Sequence, residues 1–203
     1  MRCDLATAAG CAKGAQFERS LGDGTVSPGR HCLSSNAGNR QPVCAIASPI
    51  VEADVHEWTF TVTSSSGHLV VGVTDASRPL TLHNAGRGWG VYLASRVLVK
   101  TENATRIAPP SKGGSIAHGA EPAGFVWDVR INVDMTERTA QFHVNGAQVA
   151  QAKGLAESIR PWVWMFWEGD SVAISTHHVA STDPLLIPET ASGRDVLCDE
   201  LGC

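Results

Sequence analysis

The amino-acid sequence predicts an all-β domain built as a sandwich of two antiparallel sheets, because short segments of alternating apolar and polar residues recur between turn clusters. Residues 125–133 alternate without a break, as expected for a strand whose side chains point to opposite faces in turn. Asn145-Gly146 separates two further segments and is the strongest short signal for a β-hairpin. Long amphipathic helical patterns are not apparent, which disfavours α/β architectures.

The predicted strands lie between His56 and Ser175, and clusters of glycine, serine, aspartate or proline separate them. In chain order the predicted strands are 58–62, 68–73, 86–93, 96–100, 125–133, 139–144, 148–150, 162–167 and 171–175. Residues 101–124 are expected to form a long loop, and a loop of this length inside a compact domain is usually functional or disordered.

These patterns divide the chain into an irregular N-terminal arm (1–47), the sandwich (48–180) and a C-terminal tail (181–203) that packs back near the arm. All six cysteines lie in the two flanks, at Cys3, Cys11, Cys32, Cys44, Cys198 and Cys203. Sequence alone does not choose among their pairings, so free thiols and disulfides both stay open. Paired C-x-x-C spacing is missing, so no zinc site is expected.

The chain has 203 residues and a formal net charge of -4, with no clustered basic residues. Such a balance argues against nucleic acid and against a polybasic membrane patch. No apolar stretch is long enough to span a bilayer, and residues 1–10 lack the apolar core of a signal peptide. We therefore expect a cytoplasmic protein, or an extracellular or particle-associated one if the cysteines are oxidised.

Catalytic motifs are missing from the sequence: no nucleophile elbow, P-loop or dinucleotide fingerprint occurs. His177 and His178 would point to opposite faces of a strand, so they do not readily share one metal ion. Asp128 and Asp134 could share a strand face, as a glycosidase pair would require, but Asp134 begins a turn. We therefore expect no enzymatic activity and no cofactor.

Several motifs resemble those of the SPRY domain. Four stretches are similar to its C-terminal half: 128–134, 140–146, 154–155 and 160–163. Three stretches are similar to its first half: 57–60, 70–73 and 88–90. The resemblance covers about residues 41–197 and implies a concanavalin-like SPRY sandwich. It also implies recognition of short extended peptides in partner proteins by loops at one end of the sandwich.

Within this family the chain looks most similar to the SPRY domain–SOCS box proteins, over residues 67–80, over 88–93 with 96–98, and over 164–169 with 183–188. Those relatives hold a peptide with a Gly-Thr pair and a Val-Trp pair. The resemblance places Gly67-His68 and Phe166-Trp167 at these two positions.

The chain departs from these relatives in three places. Residues 81–87 carry no tyrosine, an Arg-Gly stretch before the first core strand is shortened or missing, and no SOCS box precedes Cys203. We therefore do not expect the Asn-rich target peptide of that family to bind, nor a ligase scaffold to be recruited by that route.

The candidate partner-binding residues cluster around two of the predicted turns. Trp167 lies at a strand end beside a turn, and tryptophan is a common anchor at interfaces. Arg78 and Arg87 flank one loop and could pair with a carboxylate or with backbone carbonyls of a partner. His68 and His83 are expected at the same end.

The remaining tryptophans are expected to pack in the core, since aromatic residues dominate protein cores. Trp162 and Trp164 share a strand face because they are two residues apart. Trp58, Trp89 and Trp127 lie within predicted strands.

Our leading interpretation is a non-catalytic module that binds a peptide or loop of a partner protein through its inter-strand loops. A lectin-like module that binds glycans is the first alternative, and a structural component of a particle coat is the second. The triplet Asn103-Ala104-Thr105 is a glycosylation sequon and suits the extracellular or particle-surface setting of the lectin-like alternative.

Overall fold

The computed structural model describes residues 15–36, 42–80, 88–101 and 125–180. Within these ranges the chain forms thirteen strands and no helix. The strands are β1 (Phe17–Leu21), β2 (Gly24–Val26), β3 (Cys32–Ser35), β4 (Val43–Ala47), β5 (Val55–Ser64), β6 (Leu69–Asp75), β7 (Gly88–Tyr92), β8 (Val97–Thr101), β9 (Phe125–Asp134), β10 (Thr139–Val144), β11 (Ala147–Lys153), β12 (Ile159–Met165) and β13 (Ser171–Ala180). In the described part of the chain, nothing helical is long and apolar enough to cross a membrane.

The strands form two sheets whose neighbouring strands all run antiparallel. Sheet A has the order β1-β4-β12-β6-β7-β8, and sheet B has the order β11-β10-β9-β5-β13-β3-β2. The prediction of an all-β sandwich of two antiparallel sheets is therefore confirmed. The hairpin predicted at Asn145-Gly146 joins β10 to β11, and both of its turn residues have positive φ angles, as this type of turn requires.

The core lies between the two sheets and follows from the alternation in the sequence. Every second residue of β5 is buried, which places Trp58 and Phe60 in the core. Trp89 of β7 and Phe142 of β10 fill the same layer, and all four side chains are fully buried. The core positions predicted for Trp58 and Trp89 are thus confirmed.

A second apolar cluster lies on the other face of sheet A. Trp162 and Trp164 share a strand face, as predicted, and both are buried. They pack in this outer cluster with Cys44, Val70 and Tyr92, whereas Val163 between them points into the core. The expectation that these two tryptophans belong to the main core is therefore corrected: sheet A is apolar on both faces.

Cys44 is a buried thiol within the outer cluster. The indole N–H of Trp162 donates a hydrogen bond of 3.2 Å to its sulfur. Burial raises the pKa of the thiol to about 12, so the reactive thiolate is scarce at neutral pH.

The expected division of the chain is corrected at its N-terminal boundary. The predicted irregular arm is residues 1–47, but four strands of the sandwich lie within it, between Phe17 and Ala47. β4 lies between β1 and β12 inside sheet A, and β3 pairs with β13 in sheet B. The reason is that β4 is buried on both faces and therefore lacks the alternation that marks a half-buried strand.

Several predictions concern parts of the chain outside the described residues. These are the course of residues 1–14, most of the long loop (102–124) and the C-terminal tail (181–203), with Cys3, Cys11, Cys198 and Cys203.

Two glycines allow β6 and β7 to approach each other closely. Gly72 and Gly90 face each other across the two strands. A Cβ atom on Gly72 would lie 2.1 Å from the carbonyl oxygen of Trp89 and 2.5 Å from the Cα of Gly90. Backbone atoms at these distances cannot move aside without separating the strands, so only glycine fits.

We predict that Gly72→Ala destabilises the fold by about 3 kcal/mol, because the added methyl group overpacks a rigid backbone contact. Urea denaturation of the wild type and of Gly72→Ala measures the difference in the free energy of unfolding. Gly146→Ala is the matched control: no heavy atom lies within 4 Å of its Cβ position. It should cost only about 1 kcal/mol, for the positive φ. An equal loss of unfolding free energy in Gly72→Ala and Gly146→Ala would contradict the prediction.

Candidate functional site

The candidate site is at one end of the sandwich, which we call the aromatic end: the turns at 65–68, 93–96 and 166–170. Backbone hydrogen bonds join the first two turns, because the carbonyl of Gly67 accepts from the amides of Leu69 and Ala94. The third turn is fastened to β3, where the amide of Ser35 donates to the carbonyl of Asp170. The ring of Trp167 in the third turn lies 6.0 Å from the ring of His68 in the first, so three separate parts of the chain meet on one surface.

His68 lies at the centre of this surface, between two aromatic rings. Its ring centroid is 6.0 Å from that of Trp167 and 5.9 Å from that of Tyr92. The Nδ1 atom of His68 is hydrogen-bonded to the hydroxyl of Tyr92. Burial lowers the pKa of His68 and raises the pKa of Tyr92 to about 12. Both side chains are therefore uncharged at neutral pH.

Trp167 is the exposed member of the group. Its side chain is 39% exposed, although it lies only two residues after a strand that is almost wholly buried. The preceding Phe166 is half-buried and packs on Trp164, with ring centroids 4.6 Å apart. Trp167 therefore stands on a supported base and presents apolar ring surface to solvent.

Gly67 separates this group from a second aromatic pair. Gly67 has a φ of 67°, and a Cβ atom there would lie 3.2 Å from the ring of Trp127. The Trp127 ring contacts the ring of Phe125, with centroids 5.5 Å apart. Both rings are only half-buried, so the core position predicted for Trp127 is corrected. It is the third residue of β9, and it packs where the two sheets end.

A buried carboxylate ends the turn that carries Trp167. Asp170 is completely buried, and neither carboxylate oxygen reaches a partner at hydrogen-bonding geometry. Burial raises the pKa of Asp170 to about 6, while the Ser64 hydroxyl and the backbone of Trp167 and Ser65 oppose the shift. These groups lie near enough to favour the charged form of Asp170, but they do not satisfy the hydrogen-bonding capacity of its carboxylate.

The structure brings together four of the seven predicted site residues: Gly67, His68, Phe166 and Trp167. Arg78 lies elsewhere, because β6 runs from the aromatic end to Asp75 at the opposite end. Seven strand residues at about 3.3 Å each give a separation of roughly 20 Å. There Arg78 is 3.9 Å from the carboxylate of Asp75. Its assignment to the same site is therefore corrected.

His83 and Arg87, the other two predicted site residues, lie outside the described residues, as does the sequon at Asn103.

Four further residues at the aromatic end carry no functional signal in the sequence patterns above: Tyr92, Phe125, Trp127 and Asp170. Tyr92 is the last residue of β7 and Phe125 is the first residue of β9, so position at a strand end is the signal that could have identified these two. Trp127 is the third residue of β9, where the pattern indicates only a strand. Asp170 lies in a predicted turn, and no feature of the sequence indicates its burial.

A histidine pair occupies the opposite end of the sandwich. The Nδ1 atom of His56 and the Nε2 atom of His177 are 3.2 Å apart, while the Nε2–H of His56 donates to the carbonyl of Ala53 at 2.7 Å. The Nδ1 atom of His56 therefore accepts from His177. Burial, followed by the charges of His56 and His178, lowers the pKa of His177. Among the described residues no three ligand-type side chains are grouped to hold a metal ion.

The architecture agrees with that of known SPRY domains. The crystal structure of the SPRY domain of human HERC1 is similar with a TM-score of 0.54 and 18% identity, over 78% of this chain and 96% of that chain. The TRIM65 PSpry domain gives 0.55 and 14%, over 80% and 92%. A human SPRY domain gives 0.52 and 15%, over 78% and 97%. This chain has the SPRY fold.

The likeness of the chain to these SPRY structures is one of fold. No family model matches the sequence, and no curated protein matches it. The function of this chain is therefore inferred from the residues of the chain itself.

We predict that Asp170→Asn stabilises the protein at pH 8 by on the order of 2 kcal/mol, because the buried charge is removed. The folded-state pKa of Asp170 is about 6, above the ordinary value of 3.8. The folded protein therefore holds this proton more tightly, and the stability that it contributes is lost as pH rises from about 4 through 6.

The gain in unfolding free energy from Asp170→Asn should accordingly shrink as the pH falls below about 6 and vanish near 4. Urea denaturation at a series of pH values measures it. Asp128→Asn removes an exposed carboxylate at the same end and should change stability little at any pH. A variant less stable than wild type at pH 8 would show that the Asp170 charge is satisfied.

Proposed function

We propose that the protein is a non-catalytic interaction module that binds a peptide or loop of a partner protein at the aromatic end, in a cytoplasmic setting. The observation that carries this proposal is the exposed Trp167 ring beside half-buried His68. A supported, partly exposed tryptophan at the centre of a polar and aromatic group has the properties of an interface hot spot.

The arrangement of the turns supports recognition of a segment of protein chain. The pairs Gly67-His68 and Phe166-Trp167 come from turns about 100 residues apart in the sequence and meet at one surface, with the His68 and Trp167 rings 6.0 Å apart. Apolar ring faces next to uncharged hydrogen-bonding groups suit a peptide, which offers apolar side chains and backbone amides together.

The closer likeness to the SPRY domain–SOCS box proteins is also a proposal. Its support is that the two residue pairs which the resemblance assigns to a peptide pocket lie side by side. The partner-binding role of Arg78 is not carried forward, because this residue lies at the other end of the sandwich.

We predict that peptides selected from a random library by the full chain bind at Trp167. Trp167→Ala should weaken them by at least about tenfold, as expected for removal of an anchor. Isothermal titration calorimetry measures the affinity, and circular dichroism checks the fold. Val179→Ala is the matched control, because Val179 is 53% exposed on the far part of β13.

Three outcomes contradict this proposal: the chain selects no peptide, the peptides bind the wild type and Trp167→Ala with equal affinity, or Trp167→Ala and Val179→Ala lose affinity equally. Binding to immobilised glycans without any peptide selection would favour the lectin-like alternative.

A further inference from the structure

His68 has one ring nitrogen in use and one unused. Nδ1 is hydrogen-bonded to the hydroxyl of Tyr92, whereas Nε2 has no hydrogen-bond partner among the described residues. The backbone amide of His68 is satisfied by the Ser66 hydroxyl at 3.2 Å. The ring is half-buried, so its free nitrogen is a polar group that a bound partner would cover.

The contact with Tyr92 determines which nitrogen carries the proton. The buried Tyr92 hydroxyl keeps its hydrogen, and Nδ1 of His68 is the one acceptor within its reach among the described residues. A phenol O–H is a stronger donor than a neutral imidazole N–H, so Tyr92 donates and Nδ1 accepts. In a neutral imidazole the other nitrogen then holds the hydrogen. His68 therefore offers an Nε2–H donor with a fixed orientation.

We propose that the ligand is an uncharged, extended peptide segment whose backbone carbonyl accepts a hydrogen bond from Nε2–H of His68, while its apolar side chain packs on the ring of Trp167. This inference rests on the proposed function and names the chemistry of its ligand. The donor and the ring are neighbours, with centroids 6.0 Å apart. One residue of an extended chain presents a carbonyl and a side chain over a span of this size.

The alternative ligand chemistry is an anion, such as a carboxylate side chain. The described surroundings of His68 do not favour it, because the ring is neutral and its neighbours are the uncharged Tyr92 and Trp167. Glu168, next to Trp167, is exposed and adds negative charge at the site. An amide carbonyl needs only a neutral donor, which is what His68 supplies.

The test uses peptides that the full chain selects from a random library and that depend on Trp167. His68→Phe keeps an aromatic ring but removes the N–H, and it should weaken binding about tenfold because the peptide carbonyl is left unsatisfied. His68→Gln restores a side-chain N–H near the same place and should recover most of the loss. His178→Phe alters an exposed histidine on β13 and should leave affinity unchanged.

A double-mutant cycle identifies the acceptor on the peptide. Each backbone amide is replaced in turn by an ester, which weakens the carbonyl as an acceptor. One ester should weaken binding to wild type several-fold and have no further effect in His68→Phe, because the two changes remove the same hydrogen bond. Nitrogen NMR of the imidazole should show the Nε2–H tautomer in wild type and a mixture in Tyr92→Phe.

The outcomes separate this inference from the proposed function. Peptides that require Trp167 but bind His68→Phe as tightly as wild type overturn the inference alone. So does an Nδ1–H tautomer in wild type, or binding that is lost when the only acidic side chain of the peptide is amidated. If no peptide depends on Trp167, the proposed function itself fails.

Discussion

The site depends on strand β12, which is buried on both faces inside sheet A. β12 pairs with β4 on one side and β6 on the other. Val163 fills the core between the sheets, while Trp162 and Trp164 fill the outer cluster. A slip of one residue would drive the two large indoles into space shaped for valine and methionine, so the register is strongly specified. Because Trp167 follows two residues after β12, the same constraint positions it.

How far the fold can be predicted from sequence depends on how each strand is buried. β5 alternates buried and half-buried residues along its whole length, and β9 does so over its last six residues, so the period of two is visible in the sequence. β4 is buried at all five positions, so its apolar run carries no period. β2 has three residues and β3 four, and strands this short form because β13 pairs with β3. Long-range pairing of this kind leaves no local pattern.

The candidate site shows the same limit more sharply. Gly67, His68, Phe166 and Trp167 could be predicted only through a resemblance between motifs. Tyr92 could not, because it meets His68 across 24 residues of sequence through the register of β6 and β7. Arg78 shows the converse, since it is close to His68 in sequence but separated from it by the length of β6. Proximity in an antiparallel sandwich follows from strand ends, and strand ends are the least certain features of a sequence-based prediction.

The turn that carries Trp167 links the two sheets and ends at a buried carboxylate. The turn leaves sheet A at Met165 and enters sheet B at Ser171, and two backbone hydrogen bonds between Ser35 and residues 169–170 fasten it to β3. Asp170 is the last residue of this turn and lies close to Ser64 at the end of β5. Its buried charge weakens the fold, but the fastened turn holds the Trp167 ring in place before any partner arrives. In the proposed function, a ring that is already held in place loses less conformational entropy when a partner binds, which favours affinity at Trp167.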